Sequence, residues 1–274
     1  ATTVVDQSKN GVPITLTAGA AVSSNRSKFY DTSLYFNGTT GYGVANGVVS
    51  ALYGGNPYTV AGWFYLNALM PAQNSLFAFH TSAGASRMVV AHNGVYGVSG
   101  LLSSYSSGDL AIGAWRHVAM TVVPSAKTLK IWIDGALEAT IVWTSTALDL
   151  TSTDTFTFAQ EWDGPTSPSD FMQGNIQDLF ACVGAQYISP FVPPEKMLGE
   201  INGMVLDEYG AGAVRRVIAI PRSAPILGSC ETNSDAAGVY TFNKIRRGIE
   251  YSILVLDNDA GTVRQDLVKR AKSL

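Results

Sequence analysis

The sequence contains little of what several classes of functional site require. Its 274 residues include two cysteines, three histidines and 14% charged residues. Two cysteines exclude a disulfide-stapled secreted scaffold, and Cys182 and Cys230, which we assign to different domains, are not expected to form a bridge. None of the histidines has the spaced cysteine, histidine or carboxylate neighbours that a zinc site needs, so we predict no catalytic metal.

Further absences limit the classes of partner and of activity that we expect for this chain. No run approaches the ~20 apolar residues that cross a bilayer, so we expect no membrane insertion. The formal net charge is −3, whereas a nucleic-acid-binding protein needs a clustered basic surface, so we expect no nucleic-acid partner. The sequence also lacks a Gly-x-Ser-x-Gly elbow, a phosphate-binding glycine-rich loop and a His-Glu-x-x-His motif, and we therefore assign no catalytic residue.

Short segments rich in β-branched and aromatic residues are abundant, and they predict strands along the whole chain. In HVAMTVV (117–123) and LKIWID (129–134) the apolar residues alternate, which places them on one face of each strand. Asp134-Gly135 then indicates a two-residue hairpin, because that turn needs positive φ. We predict a three-stranded meander inside an antiparallel β-sandwich, without a long helix.

The chain divides near a proline-containing segment. All five tryptophans precede residue 190, and Pro-Phe-Val-Pro-Pro at 190–194 has the composition of a stiff connector. We predict a large antiparallel β-sandwich over 1–190, a linker over 191–198 and a small β-sandwich over 199–274. The predicted fold class is therefore all-β.

Four segments carry a family resemblance. They are SLYFNGTTGY (33–42), YTVAGWFYL (58–66), AWRHVAMTVVPSAKTLKIWIDGALEAT (114–140) and QGNIQDLFACVGAQYIS (173–189). In this order they resemble the signature strands of laminin-G-like, concanavalin A-like jelly-roll domains, and the block from WRHVA to IDG is the most specific. The resemblance covers about two thirds of the chain.

The remaining segments extend the resemblance. GEINGMVLDEYGAGAVRRVIAIPR (199–222), SDAAGVYTF (234–242) and ILVLDNDAGTVRQDLV (253–268) are similar to a transthyretin-like module of the carboxypeptidase-regulatory kind. This resemblance implies that the small β-sandwich is of the Ig-like or transthyretin-like kind. A laminin-G-like domain followed by such a module resembles structural proteins of tailed bacteriophages. The resemblance implies a non-enzymatic virion protein, either a capsid decoration or a tail fibre or adhesin.

The resemblance also implies partners and cofactors. It implies contact with other virion proteins, with a host-surface glycan or with a receptor, and a homo-oligomer in which a trimer is favoured. Where related domains often read Ile-Asp-Asp, this chain has Ile176-Gln177-Asp178. We expect no cofactor, with Asp178 as the residue that would contribute to a calcium site.

The candidate ligand-binding residues lie in predicted loops. Glu161 and Asp163 would share a face in an extended segment, with Trp162 beside them as an aromatic platform. Such a pair suits ligand binding, the acid and base of a jelly-roll glycosidase, or an ordinary exposed loop. Tyr105 and Asn93 are further recognition candidates. The main alternative to a virion protein is therefore a polysaccharide-degrading glycosidase, and a bacterial surface adhesion module is another.

Three aromatic and histidine residues are assigned to the scaffold instead. Trp63 and Trp115 are predicted to lie in the core, and His117 is predicted to be a structural residue of its strand. These assignments leave the loops around the meander as the place for function.

Overall fold

The computed structural model describes residues 4, 6, 11–71, 73–97, 100–146, 148–164, 167–194, 198–207, 209–222, 230–246, 250–257 and 264–272. The chain forms two compact units, a large unit that includes Gly11–Pro193 and a small unit that includes Pro194–Leu274. Residues 195–197 of the predicted linker lie outside the described residues.

The large unit is composed almost entirely of strands. In chain order they are β1 (Ile14–Leu16), β2 (Ala20–Ser23), β3 (Ser33–Asn37), β4 (Gly43–Ala45), β5 (Tyr58–Leu66), β6 (Ser75–His80), β7 (Ser86–Ala91), β8 (Gly94–Gly97), β9 (Gly100–Ser104), β10 (Trp115–Val123), β11 (Thr128–Ile133), β12 (Ala136–Val142), β13 (Thr155–Phe158), β14 (Glu161–Trp162), β15 (Pro168–Ser169) and β16 (Gln173–Val183). A short helix, α1 (Val48–Leu52), precedes β5, and a 3₁₀ turn (Pro124–Ala126) joins β10 to β11.

Two antiparallel sheets form a sandwich. The first sheet has the order β1-β4-β13-β6-β7-β8-β9, and the second has the order β12-β11-β10-β5-β16-β3-β2. Large apolar side chains from both sheets, among them Phe36, Phe64, Phe77, Phe79 and Met120, fill the space between them. The predicted all-β antiparallel sandwich is therefore confirmed.

The predicted meander is present as β10-β11-β12, and its hairpin has the expected backbone. Asp134 (φ 48°) and Gly135 (φ 84°) both lie in the left-handed region, as a two-residue primed turn requires. The backbone N–H of Phe191 donates to the Gly135 carbonyl over 3.1 Å, so this turn also holds the segment that follows β16.

The outer face of the second sheet is covered by that segment. Tyr187 and Phe191 stack on each other with ring centroids 3.9 Å apart, and both contact the ring of His117 edge-on. His117 is 1% exposed, which fits its predicted structural role. The assignment of Trp115 to the core is wrong: it has the same strand parity as His117, so it faces outward and lies half-buried against Tyr65.

The small unit has its own core. Its strands are β17 (Leu198–Met204), β18 (Arg216–Pro221), β19 (Cys230–Asn233), β20 (Val239–Arg246), β21 (Glu250–Asp257) and β22 (Arg264–Lys272). They form a β17-β20 pair and a β19-β18-β21-β22 sheet, both antiparallel. Tyr251, Ile253 and Val255 are buried in the core between their more exposed neighbours, as the alternation predicts.

Two further observations bear on the expectations. Cys182 and Cys230 do not form a disulfide bond with each other. Within the described ranges, no helix has the length and apolar character needed to cross a bilayer.

Replacing the hairpin glycine tests how the outer segment is held. In Gly135→Ala the new Cβ would overlap the Phe191 carbonyl oxygen at a position that already has positive φ. We expect the free energy of unfolding of the large unit to fall by about 3 kcal/mol. Urea denaturation followed by tryptophan fluorescence measures this, because all five tryptophans lie in the large unit.

Gly108→Ala is the matched control. Gly108 has a nearly identical φ of 82°, but a Cβ there would meet no atom within 4 Å. It should cost only the backbone strain, about 1 kcal/mol. Equal losses in the two variants would show that the contact with Phe191 does not stabilise the fold.

Candidate functional site

The predicted carboxylate pair lies in a small hairpin over the outer face of the first sheet. This hairpin is β14-β15, in which Glu161 pairs with Ser169 and Trp162 with Pro168. The Glu161 side chain is buried, and its two carboxylate oxygens accept hydrogen bonds from the Ser86 and Ser169 hydroxyls, the latter over 2.9 Å. Asp163 is exposed at the hairpin tip, so the two carboxylates do not form an open acid and base pair.

Trp162 is held against a buried histidine. Its ring stacks on His80 with centroids 5.1 Å apart and planes inclined by 25°. Burial lowers the pKa of His80 to about 4, opposed in part by the negative charge of Asp154, so the imidazole is neutral near pH 7. Since a serine hydroxyl has one hydrogen and Ser86 donates to Glu161, the Ser86–His80 pair is not arranged as a nucleophile and its base.

Asp170, at the end of this hairpin, was not singled out from the sequence. Burial, together with the negative charges of Glu161 and Asp163, raises its pKa to about 6. The backbone N–H of Gln73 opposes this by donating to the carboxylate. The hairpin region therefore contains three carboxyl groups. Glu161 is buried and hydrogen-bonded, Asp163 is exposed, and Asp170 is partly protonated near neutral pH.

Tyr105 and Asn93 are parts of the scaffold. Tyr105 is 4% exposed, and its hydroxyl donates to the Ala91 carbonyl over 2.6 Å. Asn93 is half-buried, and its side-chain oxygen accepts a hydrogen bond of 3.0 Å from Tyr96. Because the ring of Tyr105 is buried, it has no free face that could contact a ligand.

Asp178 lies at an irregularity in β16. Its φ is 52°, and the register of β16 against β5 shifts between Gln177 and Phe180. Its carboxylate accepts a hydrogen bond of 3.1 Å from Tyr30. Within the described part of the chain, no group of three or more His, Cys, Asp or Glu side chains is placed to hold a metal ion.

An open cleft lies at one end of the large sandwich, away from every residue chosen from the sequence. We call it the rim cleft; its volume is about 570 Å³, within the range of small-molecule sites. Three parts of the chain meet there, namely the α1–β5 loop, the β10–β11 turn and the segment between β12 and β13. Its lining is Leu52, Tyr53, Gly54, Gly55, Tyr58, Val122, Pro124, Ser125, Lys127, Trp143, Leu148, Asp149, Leu150, Thr151 and Ser152.

An ion pair crosses the mouth of the rim cleft. Lys127, which ends the β10–β11 turn at φ 49°, donates from Nζ to Asp149. The indole Nε1 of Trp143 donates to the other oxygen of the same carboxylate over 3.1 Å. Partial burial opposes ionisation, but the hydrogen bonds from Lys127 and Trp143 and the charges of Lys127 and Arg87 lower the pKa of Asp149. The carboxylate is therefore ionised and fixed in orientation.

Tyr58, whose hydroxyl is buried, is among the residues that line the rim cleft. Tyr58 begins β5 and is 2% exposed, yet its hydroxyl has no hydrogen-bond partner among the described residues. Burial raises its pKa far above the ordinary value, and the charges of Asp149 and Asp154 add to this, so the phenol keeps its proton. A buried hydroxyl without a partner costs about 1–3 kcal/mol.

A buried ion pair supports the wall of the rim cleft. Arg87 on β7 donates to both carboxylate oxygens of Asp154, whose side chain is 1% exposed. Asp154 also accepts hydrogen bonds from the backbone N–H and the hydroxyl of Thr151, over 2.9 and 2.8 Å. This arrangement fixes the loop that carries Thr151 and Ser152 into the lining.

Only weak signals in the sequence point to this cleft. Tyr58 is the first residue of an apolar strand, and Lys127 lies in an ordinary turn. Trp143 and Asp149 follow the meander in a segment rich in Ser and Thr. A tryptophan and an aspartate in one loop are a weak sign of a binding site. Their partners in the cleft lie far away in the sequence, so the local pattern does not reveal the site.

The fold defines a two-sheet antiparallel β-sandwich with a cleft at its rim. A family model described as the concanavalin A-like lectin/glucanases superfamily matches residues 36–180. The chain belongs to this family, which confirms the laminin-G-like and concanavalin A-like part of the predicted resemblance. No curated protein sequence matches the chain significantly.

The solved structures that match this chain are distant in sequence. Domain 4 of AbnA, an extracellular arabinanase of Geobacillus stearothermophilus, is 16% identical, with a TM-score of 0.50 over 63% of this chain and 83% of that domain. A Trypanosoma rangeli sialidase is 16% identical, with a TM-score of 0.47 over 66% of this chain and 29% of its own. The botulinum neurotoxin serotype D binding domain is 13% identical, with a TM-score of 0.44 over 94% and 70%.

The raised pKa of Asp170 predicts a pH effect on stability. Because the folded chain binds a proton up to about pH 6 whereas the unfolded carboxyl loses it near pH 4, stability falls as the pH rises through this window. Asp170→Asn removes that loss and suits the positive φ of 49°. Relative to the natural chain, the variant should gain on the order of 1–2 kcal/mol between pH 4 and pH 7, the full effect being reduced by solvent screening.

Urea denaturation at a series of pH values, followed by tryptophan fluorescence, measures this difference. Parallel stability profiles for the natural chain and Asp170→Asn would show that the Asp170 carboxyl ionises in the folded chain as it does in the unfolded one.

Proposed function

We propose that this chain is a non-enzymatic structural protein of a tailed-bacteriophage virion, either a capsid decoration or a tail adhesin. Its large sandwich binds a host-surface glycan or receptor, or a neighbouring subunit, and its small unit, as a transthyretin-like sandwich, attaches it to the particle. The order of the two modules along the chain supports this proposal. The proposed location is the virion surface, the proposed assembly is a homotrimer, and no cofactor is needed.

The rim cleft is the observation that carries the binding role. It combines an exposed aromatic ring, Tyr53, with a fixed and partly exposed ion pair, the elements with which proteins orient polar ligands that have apolar faces. A domain of the same fold, AbnA domain 4, was solved in complex with arabinotriose. That complex makes a saccharide the first ligand class to test here.

The arrangement of the β14-β15 hairpin supports a non-enzymatic role. A glycosidase needs two carboxyl groups that both reach the substrate. Glu161 is buried with both oxygens taken by serine hydroxyls, so it has no open path to a sugar. Its contacts are those of a residue that fixes the hairpin onto the first sheet.

The binding role predicts a loss of host attachment in a cleft variant. Labelled natural chain should bind host cells, and Tyr53→Ala should weaken that binding about tenfold, because it removes the exposed ring of the cleft. Tyr209→Ala is the matched control, since Tyr209 is a still more exposed tyrosine of the small unit. Flow cytometry of the labelled chains on host cells measures both variants.

Mass spectrometry of purified particles tests the location in parallel. The chain should be present in intact virions in a fixed ratio to the major capsid protein. Its absence from virions would overturn the virion assignment, and recovery from the bacterial surface instead would identify an adhesion module. Equal cell binding by the natural chain and Tyr53→Ala would exclude the rim cleft as the attachment site.

One observation favours a hydrolase as the second candidate. Asp170, with a pKa of about 6, lies beside Glu161 and Asp163, and a partly protonated carboxyl near a carboxylate resembles a general acid and its partner. Incubation with host-envelope polysaccharide, followed by chromatography, should release no oligosaccharide. Release that is abolished in both Glu161→Gln and Asp170→Asn would establish the hydrolase instead.

A further inference from the structure

We infer that Asn46 is a site of spontaneous covalent modification, where deamidation through a cyclic imide converts the Asn46-Gly47 peptide into aspartate and isoaspartate. The isoaspartyl product lengthens the main chain just before α1 and weakens the anchoring of that helix. Neither step depends on the proposed function. The assignment rests on the difference between this Asn-Gly pair, which the fold leaves open, and other Asn-Gly pairs that the fold holds in place.

The reaction requires only an asparagine, the residue after it and water, and asparagine is one of the thermolabile residues. The backbone nitrogen of the next residue loses its proton and attacks the side-chain carbonyl carbon. A C–N bond forms, and the side-chain nitrogen leaves as ammonia. Water then opens the imide, at the former side-chain carbonyl to give aspartate or at the main-chain carbonyl to give isoaspartate. Glycine favours the attack because it has no Cβ beside the attacking nitrogen.

Asparagine precedes glycine at several places in the chain. The pairs are Asn10-Gly11, Asn37-Gly38, Asn46-Gly47, Asn93-Gly94 and Asn202-Gly203. Asn10 lies outside the described residues, and the structure describes both residues of every other pair. Because the reacting groups are the same in each pair, the fold decides which of them reacts.

The Asn46-Gly47 pair is open to the reaction. Both residues are exposed, in the turn between β4 and α1. The backbone N–H of Asn46 donates to the Pro13 carbonyl over 3.2 Å, but among the described residues neither the Asn46 side chain nor the Gly47 N–H has a hydrogen-bond partner. A Cβ at Gly47 would meet no atom within 4 Å, so the space beside the attacking nitrogen is open as well. The side-chain amide can therefore rotate to meet that nitrogen without breaking a hydrogen bond.

Asn37 is held by its own side chain. Its Oδ1 accepts hydrogen bonds from the backbone N–H groups of Thr39, Thr40 and Gly41 over 3.1, 3.0 and 2.9 Å. Its Nδ2 donates to the Thr40 hydroxyl over 3.1 Å. The side chain must give up these hydrogen bonds before its carbonyl carbon can meet the Gly38 nitrogen, so the reactive conformation is rare.

Asn93 and Asn202 are held by strand pairing. Asn93 accepts a hydrogen bond of 3.0 Å from the Tyr96 hydroxyl, and the glycine after it pairs with Ser104 of β9. Asn202 lies within β17, and the glycine after it pairs with Tyr240 of β20, whose ring a Cβ at that glycine would overlap. Attack at either position requires the strand to open locally, which lowers the rate.

The isoaspartyl product does not fit the fixed elements on either side. It adds one carbon atom to the main chain at position 46, while Ala45 is paired with Phe156 in β13. On the other side, α1 is anchored by Val49 and Leu52, each 2% exposed. Close-packed interiors do not absorb added length without displacement, so the pairing of β4 or the packing of α1 must give way. Leu52 also lines the rim cleft, so a displaced α1 alters that lining.

Peptide mapping of the aged full chain tests the site. The chain is kept in mildly alkaline buffer, sampled at intervals, digested and analysed by mass spectrometry, with electron-transfer fragmentation to separate isoaspartate from aspartate. We expect Asn46 to deamidate at least about tenfold faster than Asn37, Asn93 or Asn202. In the same chain unfolded in urea the difference should disappear, because glycine follows each of these asparagines. Deamidation of the folded chain at Asn46 that is no faster than at the other positions would overturn the assignment.

Thermal unfolding of the aged chains, followed by tryptophan fluorescence, tests the effect on α1. Asn46→Gln removes the reaction, because the longer side chain closes its imide ring far more slowly, and this variant should keep its stability on ageing. The natural chain should lose stability as isoaspartate accumulates. Asn202→Gln is the matched control, since it changes an exposed asparagine that also precedes glycine and leaves Asn46 in place. It should age as the natural chain does.

Two results would overturn the effect on α1. The first is an unchanged unfolding temperature in a chain that carries isoaspartate at position 46, which would show that β4 and α1 accommodate the longer main chain. The second is an equal loss of stability on ageing in Asn46→Gln and the natural chain, which would place the damage at another residue.

Discussion

The central strands of the large unit are buried on both faces, and this constraint decides where polar groups can lie. All nine residues of β5 are buried, because one face packs into the core between the sheets and the other is covered by two segments. The segment that follows β16 covers Ala61, and the β2–β3 segment covers Trp63 and Tyr65 with Phe29 and Arg26. Any polar group on such a strand must find a partner inside the protein or pay for its desolvation. Thr59, for example, donates to the Gly184 carbonyl over 2.8 Å.

The same constraint separates the two polar regions of the large unit. On the outer face of the first sheet, His80 lies under the β14-β15 hairpin and Glu161 is a buried residue of that hairpin. Their hydrogen bonds go to neighbouring hydroxyls. At the rim, Lys127 and Asp149 keep about a third of their side-chain surface in solvent, so part of their capacity is left for a ligand. The polar groups of the hairpin region already bond to partners within the fold, so little of their hydrogen-bonding capacity is left for a ligand. The ion pair at the rim is partly open and keeps such capacity.

The proposed division of labour follows from how the two units are built. The large unit has a cleft whose wall is fixed by the Arg87–Asp154 pair, a rigid support that preserves the geometry of the ligand groups. The small unit has a separate apolar core, so it can be stable as a module of its own.

The sequence by itself determined the strands, the meander and its hairpin, because alternation and positive-φ turn residues such as Asp134 and Gly135 act over a few positions. It also determined the family, through motifs spread along the chain. Only the tertiary structure decided that Glu161 is buried, that Trp115 faces outward and that Tyr58 lies near Asp149. These facts depend on which loops meet at one end of the sandwich and on which face of a sheet a later segment covers. Residues about 90 positions apart, such as Tyr58 and Asp149, leave no local pattern in the sequence that would reveal that they lie near each other.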